Sequence, residues 1–136
     1  MQAIINISAS DILNLQATPK QLVAAPGAGY FLLPTRIIFS FEEGTTPYSI
    51  AYGGGLEILH GVNYPWDGQA PLLGSGILEG ANKIALFEIS LQESGPANPS
   101  DVEDQPLMLH NGGSGEYADG DGEATVIIDY DAIEIP

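Results

Sequence analysis

The sequence predicts an all-β domain, an antiparallel β-sandwich with one short helix near the N-terminus. Three observations carry this reading. Apolar and polar residues alternate with period two in several short runs, the mark of half-buried strands. The 17 glycines and 10 prolines are spread between those runs, where turns are needed, and are not gathered into a linker. Only one segment carries helix-start chemistry.

In chain order, Gln2 to Ile7 reads as the first strand. Ser8 and Asp11 stand three apart, as a cap and its acidic partner do, so a short helix begins there. Ile12, Leu13 and Leu15 are placed to pack it on the sheet. Thr18-Pro19 ends it, because proline disfavours helix at the residue before it. Gln21 to Ala25 is the second strand. Pro26-Gly27-Ala28-Gly29 is a sharp turn, in which the glycines permit positive φ.

Tyr30 to Phe41 follows as a long strand, and the segment from Leu15 to Tyr52 around it organises the chain. Its core anchors are Phe31, Ile37, Ile38, Phe39 and Phe41. Within it Ile37, Phe39 and Phe41 share one face, while Arg36, Ile38 and Ser40 share the other. Pro34 cannot donate to a ladder, so it belongs at an edge or a bulge. Tyr48 to Tyr52 and Leu56 to His60 are short strands separated by Gly53-Gly54-Gly55. Residues 61–76 read as a loop, and 77–91 contain another strand. Residues 92–105 form an exposed polar loop. Pro106 to His110 is a strand, 111–123 a glycine-rich flexible connection, and Ala124 to Tyr130 the last strand, which Ile133 and Ile135 either extend or flank. Roughly eight strands at this spacing suit a sandwich, and no repeat or boundary divides residues 1–136, so the chain reads as one domain.

Composition limits function. Three basic residues (Lys20, Arg36 and Lys83) stand against 18 acidic ones, for a net charge of −15. Nucleic acid and anionic membrane surfaces are therefore unsuitable partners, since both demand clustered Lys and Arg. An acidic surface can instead complement a basic docking surface. Without cysteine there is neither a disulfide framework nor a thiolate metal site. No apolar run approaches a membrane span. The N-terminus lacks the basic start of a signal peptide, which points to a product made and kept in a cytoplasm.

Catalytic and metal signals are weak. His60 and His110 end strands without ligand spacing, and read as surface or strand-end residues. Asp119-Gly120-Asp121-Gly122-Glu123 offers hard oxygens for calcium, but Asp-Gly is first a tight-turn signal. With 18 acids any carboxylate pair can be proposed, so none signals a hydrolase without geometry. No nucleophile elbow or phosphate loop is present. No cofactor, catalytic residue or metal ligand is assigned, and the chain reads as a non-enzyme.

Tyr64 and Trp66, together in a loop, suit a sugar ring, a protein partner or a lid over the core.

The blocks Ser-Ala-Ser-Asp-Ile-Leu-Asn-Leu (8–15), Ala-Thr-Pro (17–19), Leu-Val-Ala-Ala-Pro-Gly-Ala-Gly-Tyr (22–30), Gly-Thr-Thr-Pro-Tyr (44–48), Pro-Leu-Met-Leu (106–109) and Gly-Asp-Gly (120–122) before a strand reaching Tyr130 resemble small virion-associated proteins of tailed bacteriophages. The resemblance implies a jelly-roll-like sandwich. It also implies a capsid decoration, or cement, protein bound outside the major capsid protein shell and made in the host cytoplasm. Residues 53–80 and the last six residues depart from the pattern. The second reading is a carbohydrate-binding or host-recognition module of a head or tail fibre.

On the decoration reading the expected partners are the major capsid protein and further copies of the chain. A homotrimer is favoured, with Phe41, Tyr48, Tyr64 and Trp66 as its contacts. Ala3, Ile5 and Ile7 on the first strand either add to a neighbouring sheet edge or complete the chain's own sandwich.

Overall fold

The computed structural model describes residues 1–50, 55–62, 78, 82–88, 98–112 and 115–136. Strand dominates it: β1 (Gln2–Ile7), β2 (Lys20–Val23), β3 (Tyr30–Glu42), β4 (Ser49–Ile50), β5 (Leu56–His60), β6 (Lys83–Glu88), β7 (Leu107–Asn111), β8 (Tyr117–Ala118) and β9 (Glu123–Glu134). Two short helices, α1 (Ala9–Leu13) and α2 (Pro99–Val102), complete the described elements.

The main sheet has the order β1-β9-β3-β6, the second β2-β7-β5, and β4 pairs with β8. All these pairings are antiparallel. The first strand thus lies beside the last, and the last beside the third, as in a double Greek key. With its two sheets packed face to face this is the architecture of a jelly roll. The all-β, antiparallel, jelly-roll-like expectation holds.

The core fills the space between the sheets. Ile7, Ile37, Phe39, Phe41, Val126 and Ile128 come from the main sheet, and Leu22, Leu56, Ile58, Leu107 and Leu109 from the second. Each such side chain contributes about 1.5–3 kcal/mol by leaving water. Period two does the sorting: in β3, alternate residues Ile37, Phe39 and Phe41 are buried while Ile38 and Ser40 are half-exposed. Ile38 therefore leaves the expected core set, and Phe31 is only half-buried.

α1 forms where Ser8 and Asp11 predict it. The Ser8 hydroxyl accepts from the Asp11 N–H at 3.1 Å, and the Asp11 carboxylate accepts from the Ser8 N–H at 3.0 Å. Both bonds satisfy groups that a helix start leaves open. Lys20 adds an ion pair to Asp11 at 3.0 Å. Burial pushes the Asp11 carboxyl up, but these bonds outweigh it and hold the pKa below the usual value. Ile12 and Leu15 are buried beneath.

Pro34 sits beside a bulge, where the β3–β9 register shifts between Pro34 and Arg36. Among the described residues β6 pairs with Arg36 to Phe41, and a bulge is a position that a residue without an N–H can occupy.

Other expectations are corrected. Residues 99–102 of the expected polar loop form α2, with Asp101 in its first turn. The Glu103 and Asp104 carboxylates then accept from the N–H groups of Gly29 and Gly27, both at 2.8 Å. They hold the Pro26–Gly29 turn, whose two glycines have φ of 83° and 105°. The expected flexible connection contains β8. The expected ends of the strands around Tyr48–Tyr52 and 77–91 lie partly outside the described residues.

Candidate interaction surface

Ladder register lines up the side chains on the solvent face of the main sheet. One row reads Ile4–Ile127–Ile38–Leu86 across all four strands. Every member is aliphatic. Ile4 is 65% exposed and Leu86 60%, while Ile127 and Ile38 between them are half-exposed. On one side runs Asn6–Thr125–Ser40–Ile84, whose last member is 77% exposed. On the other runs Gln2–Asp129–Arg36, with Glu88 opposite Arg36 in register.

β1 is at one edge of the sheet and β6 at the other. The stripe therefore crosses the full face. Such a face normally alternates apolar-in with polar-out, so an aliphatic row on the outside is the departure that calls for a partner.

The aliphatic row itself carries no charge, and the row beside it holds Asp129, Arg36 and Glu88. Asp129 accepts from the Gln2 side chain at 2.9 Å and pairs with Arg36 at 2.5 Å. The Gln2 bond, then Arg36, hold its carboxyl below the usual carboxylate range. The pair is neutral as a unit. The acids instead gather at the strand ends: Glu42, Glu43, Asp119, Asp121 and Glu123 at one, and Glu103, Asp104, Asp131 and Glu134 at the other.

Glu42 and Glu123 stand directly opposite on neighbouring strands. With Asn6, Ala124 and Thr125 they line an open depression of about 270 Å³. It gathers two like charges. Among the described residues no group of three or more His, Asp or Glu is placed to hold a metal ion.

Asp121 is a fastener. It accepts from the Thr45 hydroxyl at 2.6 Å and the Thr46 N–H at 2.8 Å. These bonds, Thr45 first, hold its pKa below the usual value. Within residues 119–123 Asp121 thus serves as a loop clasp, and Asp119 has φ 67°, a conformation that Asp tolerates.

Of the expected contact residues, Ala3, Ile5 and Ile7 complete the chain's own sandwich, the second of their two readings, and Phe41 and Tyr48 are core residues. Ile7, Phe41 and Tyr48 are buried in the chain's own core, and Ala3 and Ile5 pack against it. β1 pairs with β9 from Gln2 to Ile7 on one side and forms an edge of the sheet on the other. These five side chains face inward because period two turns Ala3, Ile5 and Ile7 to the core and Ile4 outward. Tyr64 and Trp66 lie outside the described residues. The signal that would have found the stripe was already in the alternation, in Ile38 and Ile4 on the faces opposite their buried neighbours. What the sequence lacked was register, which alone joins them to Ile127 and Leu86.

His60 ends β5, as expected of a strand-end residue, but is fully buried. His110 is half-buried, 3.9 Å from Glu57.

No protein-family model matches the chain, and no curated protein matches it. Among solved structures, two of the Tobacco streak virus coat protein align. The C2 crystal form is 12% identical with a TM-score of 0.29, and the dimer 10% identical with a TM-score of 0.25. Each alignment covers 99% of this chain and 89% of that one. A likeness so faint says nothing about what this chain does.

Proposed function

We propose that the chain is a structural protein of a virus particle, of the capsid decoration type, that binds the outside of the major capsid protein shell. The observation that carries the reading is the division of its surface. A chain of net charge −15 gathers many of its acids at the strand ends and leaves an exposed aliphatic row, Ile4–Ile127–Ile38–Leu86, across its main sheet. A protein with two such surfaces is suited to assembly: the acidic ends can meet basic groups of a shell, adding rate and register, and the sheet face can bury apolar area. A jelly roll presents both from a small rigid body, although many unrelated functions share that fold.

On this reading the chain performs no chemistry and holds no cofactor. It stabilises the shell by binding the assembled form in preference to the free subunits.

Deletion of its gene from the genome that encodes it tests the reading. Particles should still assemble, lack the 14.3 kDa band, and release their contents at a lower temperature, with added protein restoring the loss. Protease should reach the protein on intact particles. Its absence from purified particles, or an unchanged release temperature, would overturn the proposal.

A further inference from the structure

We infer that the outer face of the main sheet is the interface of a symmetric dimer, with a second copy of this chain as its occupant. This goes beyond the decoration reading and is tested on the isolated protein, so either can fail without the other.

Charge argues for a second copy. The aliphatic row offers a basic partner no acid, and Asp129 in the row beside it is already paired with Arg36. Two chains of charge −15 repel each other wherever their acids meet, and this is a face on which they can approach. The face is also self-complementary. A twofold axis parallel to the strands keeps each row level with itself and reverses its order. Ile4 then meets Leu86 of the second copy, and Ile127 meets its Ile38. In the adjoining row Arg36 meets Asp129 of the second copy, and Asp129 meets its Arg36. The two sheets pack nearly aligned, as stacked sheets commonly do. The expected trimer loses Phe41 and Tyr48, which are core residues, and a patch that meets its own copy forms a twofold contact.

The size sets the strength. Four strands about 4.8 Å apart and seven residues long give about 400 Å² of projected face. That is roughly half the 800 Å² per partner of a standard interface, so the dimer is weak in dilute solution and closes at the high local concentration of an assembly. The same axis brings Glu42 of each copy to Glu123 of the other at one margin. Salt should therefore strengthen the association by screening these carboxylates and the overall charge.

Sedimentation of the full chain over a concentration series, at low and high salt, tests this. The weight-average mass should climb from 14.3 kDa toward twice that value, at lower concentration in high salt. The double variant I4S/L86S should stay monomeric throughout with unchanged circular dichroism, since both side chains are exposed. V62S, at an apolar residue 80% exposed but off this face, should associate like the parent.

A mixing experiment tests the axis. R36D and D129R should each fail to dimerise alone, and an equimolar mixture should form the heterodimer, because each then supplies the charge the other lacks. A purely internal role for the Arg36–Asp129 pair would give no rescue on mixing. A monomer at every concentration in high salt, a trimer mass, association of I4S/L86S at the parent's strength, or no heterodimer would each overturn the inference. So would a chain that stays monomeric while I4S/L86S abolishes its binding to shells.

Discussion

The His60 Nε2 lies 2.6 Å from the carbonyl oxygen of Leu32, so one side chain of β5 hydrogen-bonds β3 and joins the two sheets through the core. The carbonyl can only accept, so Nε2 carries the proton and donates. Burial pushes the His60 pKa down, against the opposing pull of that bond. A lowered histidine pKa means that the unfolded chain binds the extra proton first. The contribution is therefore whole above the ordinary value of 6.5 and declines as the pH falls below it toward the folded value.

The first prediction follows. Urea midpoints should fall from about pH 7.5 to about pH 5.5, and H60L should flatten this slope while costing about 1–3 kcal/mol, because Leu32 then lacks its donor. A His60 NMR titration midpoint at or above 6.5 would contradict the placement.

A second prediction concerns Tyr48. Its hydroxyl donates to the Gly122 carbonyl at 2.5 Å, and its ring packs against Phe41 and Tyr117 with centroids 6.2 Å apart in both cases. Burial, then the nearby Asp121 and Glu123 charges, push its pKa up to about 12. A raised pKa favours folding below the unfolded value of 10, and this contribution is lost as the pH climbs through 12. Tyr48→Phe should cost about 1 kcal/mol and remove from the ultraviolet titration a phenol whose pKa is pushed up to about 12. G122A should cost about 1–3 kcal/mol, since a Cβ there would lie 2.7 Å from the Phe41 ring and 2.8 Å from the Glu42 carbonyl oxygen.

Asp121 supports a third. Asp121→Ala removes both acceptors that hold residues 45 and 46. Hydrogen exchange at the Thr46 amide should accelerate markedly, with little change at the core amides of β3. Because the Asp121 pKa is lowered, the clasp should be complete above the usual value of 3.8 and open as the pH falls through the folded one. An unchanged Thr46 rate would contradict it.

The facing pair Glu42 and Glu123 gives a fourth. Like charges directly opposite on paired strands are unfavourable by a few tenths of a kcal/mol up to ~1. Glu123→Lys should raise the melting temperature in low salt, and the gain should shrink as salt is added. A gain that persists in high salt would point to packing as the cause.

Much of this fold was legible in the chain because its local chemistry agrees with its packing. Ser8 and Asp11 announce α1, Gly27 and Gly29 announce the turn, and alternation sorts Ile37 and Phe39 from Arg36 and Ser40. What was hidden depends on partners distant in sequence. Nothing near Glu103 and Asp104 reveals that their carboxylates hold a turn more than 70 residues earlier. A strand-end histidine looks solvated until the other sheet supplies Leu32. The aromatic residues Phe41 and Tyr48 looked like contact anchors because burial within a chain and burial between chains ask for the same side chains.

On the function proposed above, this protein is a component of an assembly that uses the outer face of its main sheet. A density map of the intact particle made by the genome encoding the chain tests it most directly. The account predicts the jelly roll on the outside of the shell, with Ile4, Ile38, Leu86 and Ile127 covered by another protein chain. A particle without the protein, or one carrying it with this face open to solvent, would contradict the account.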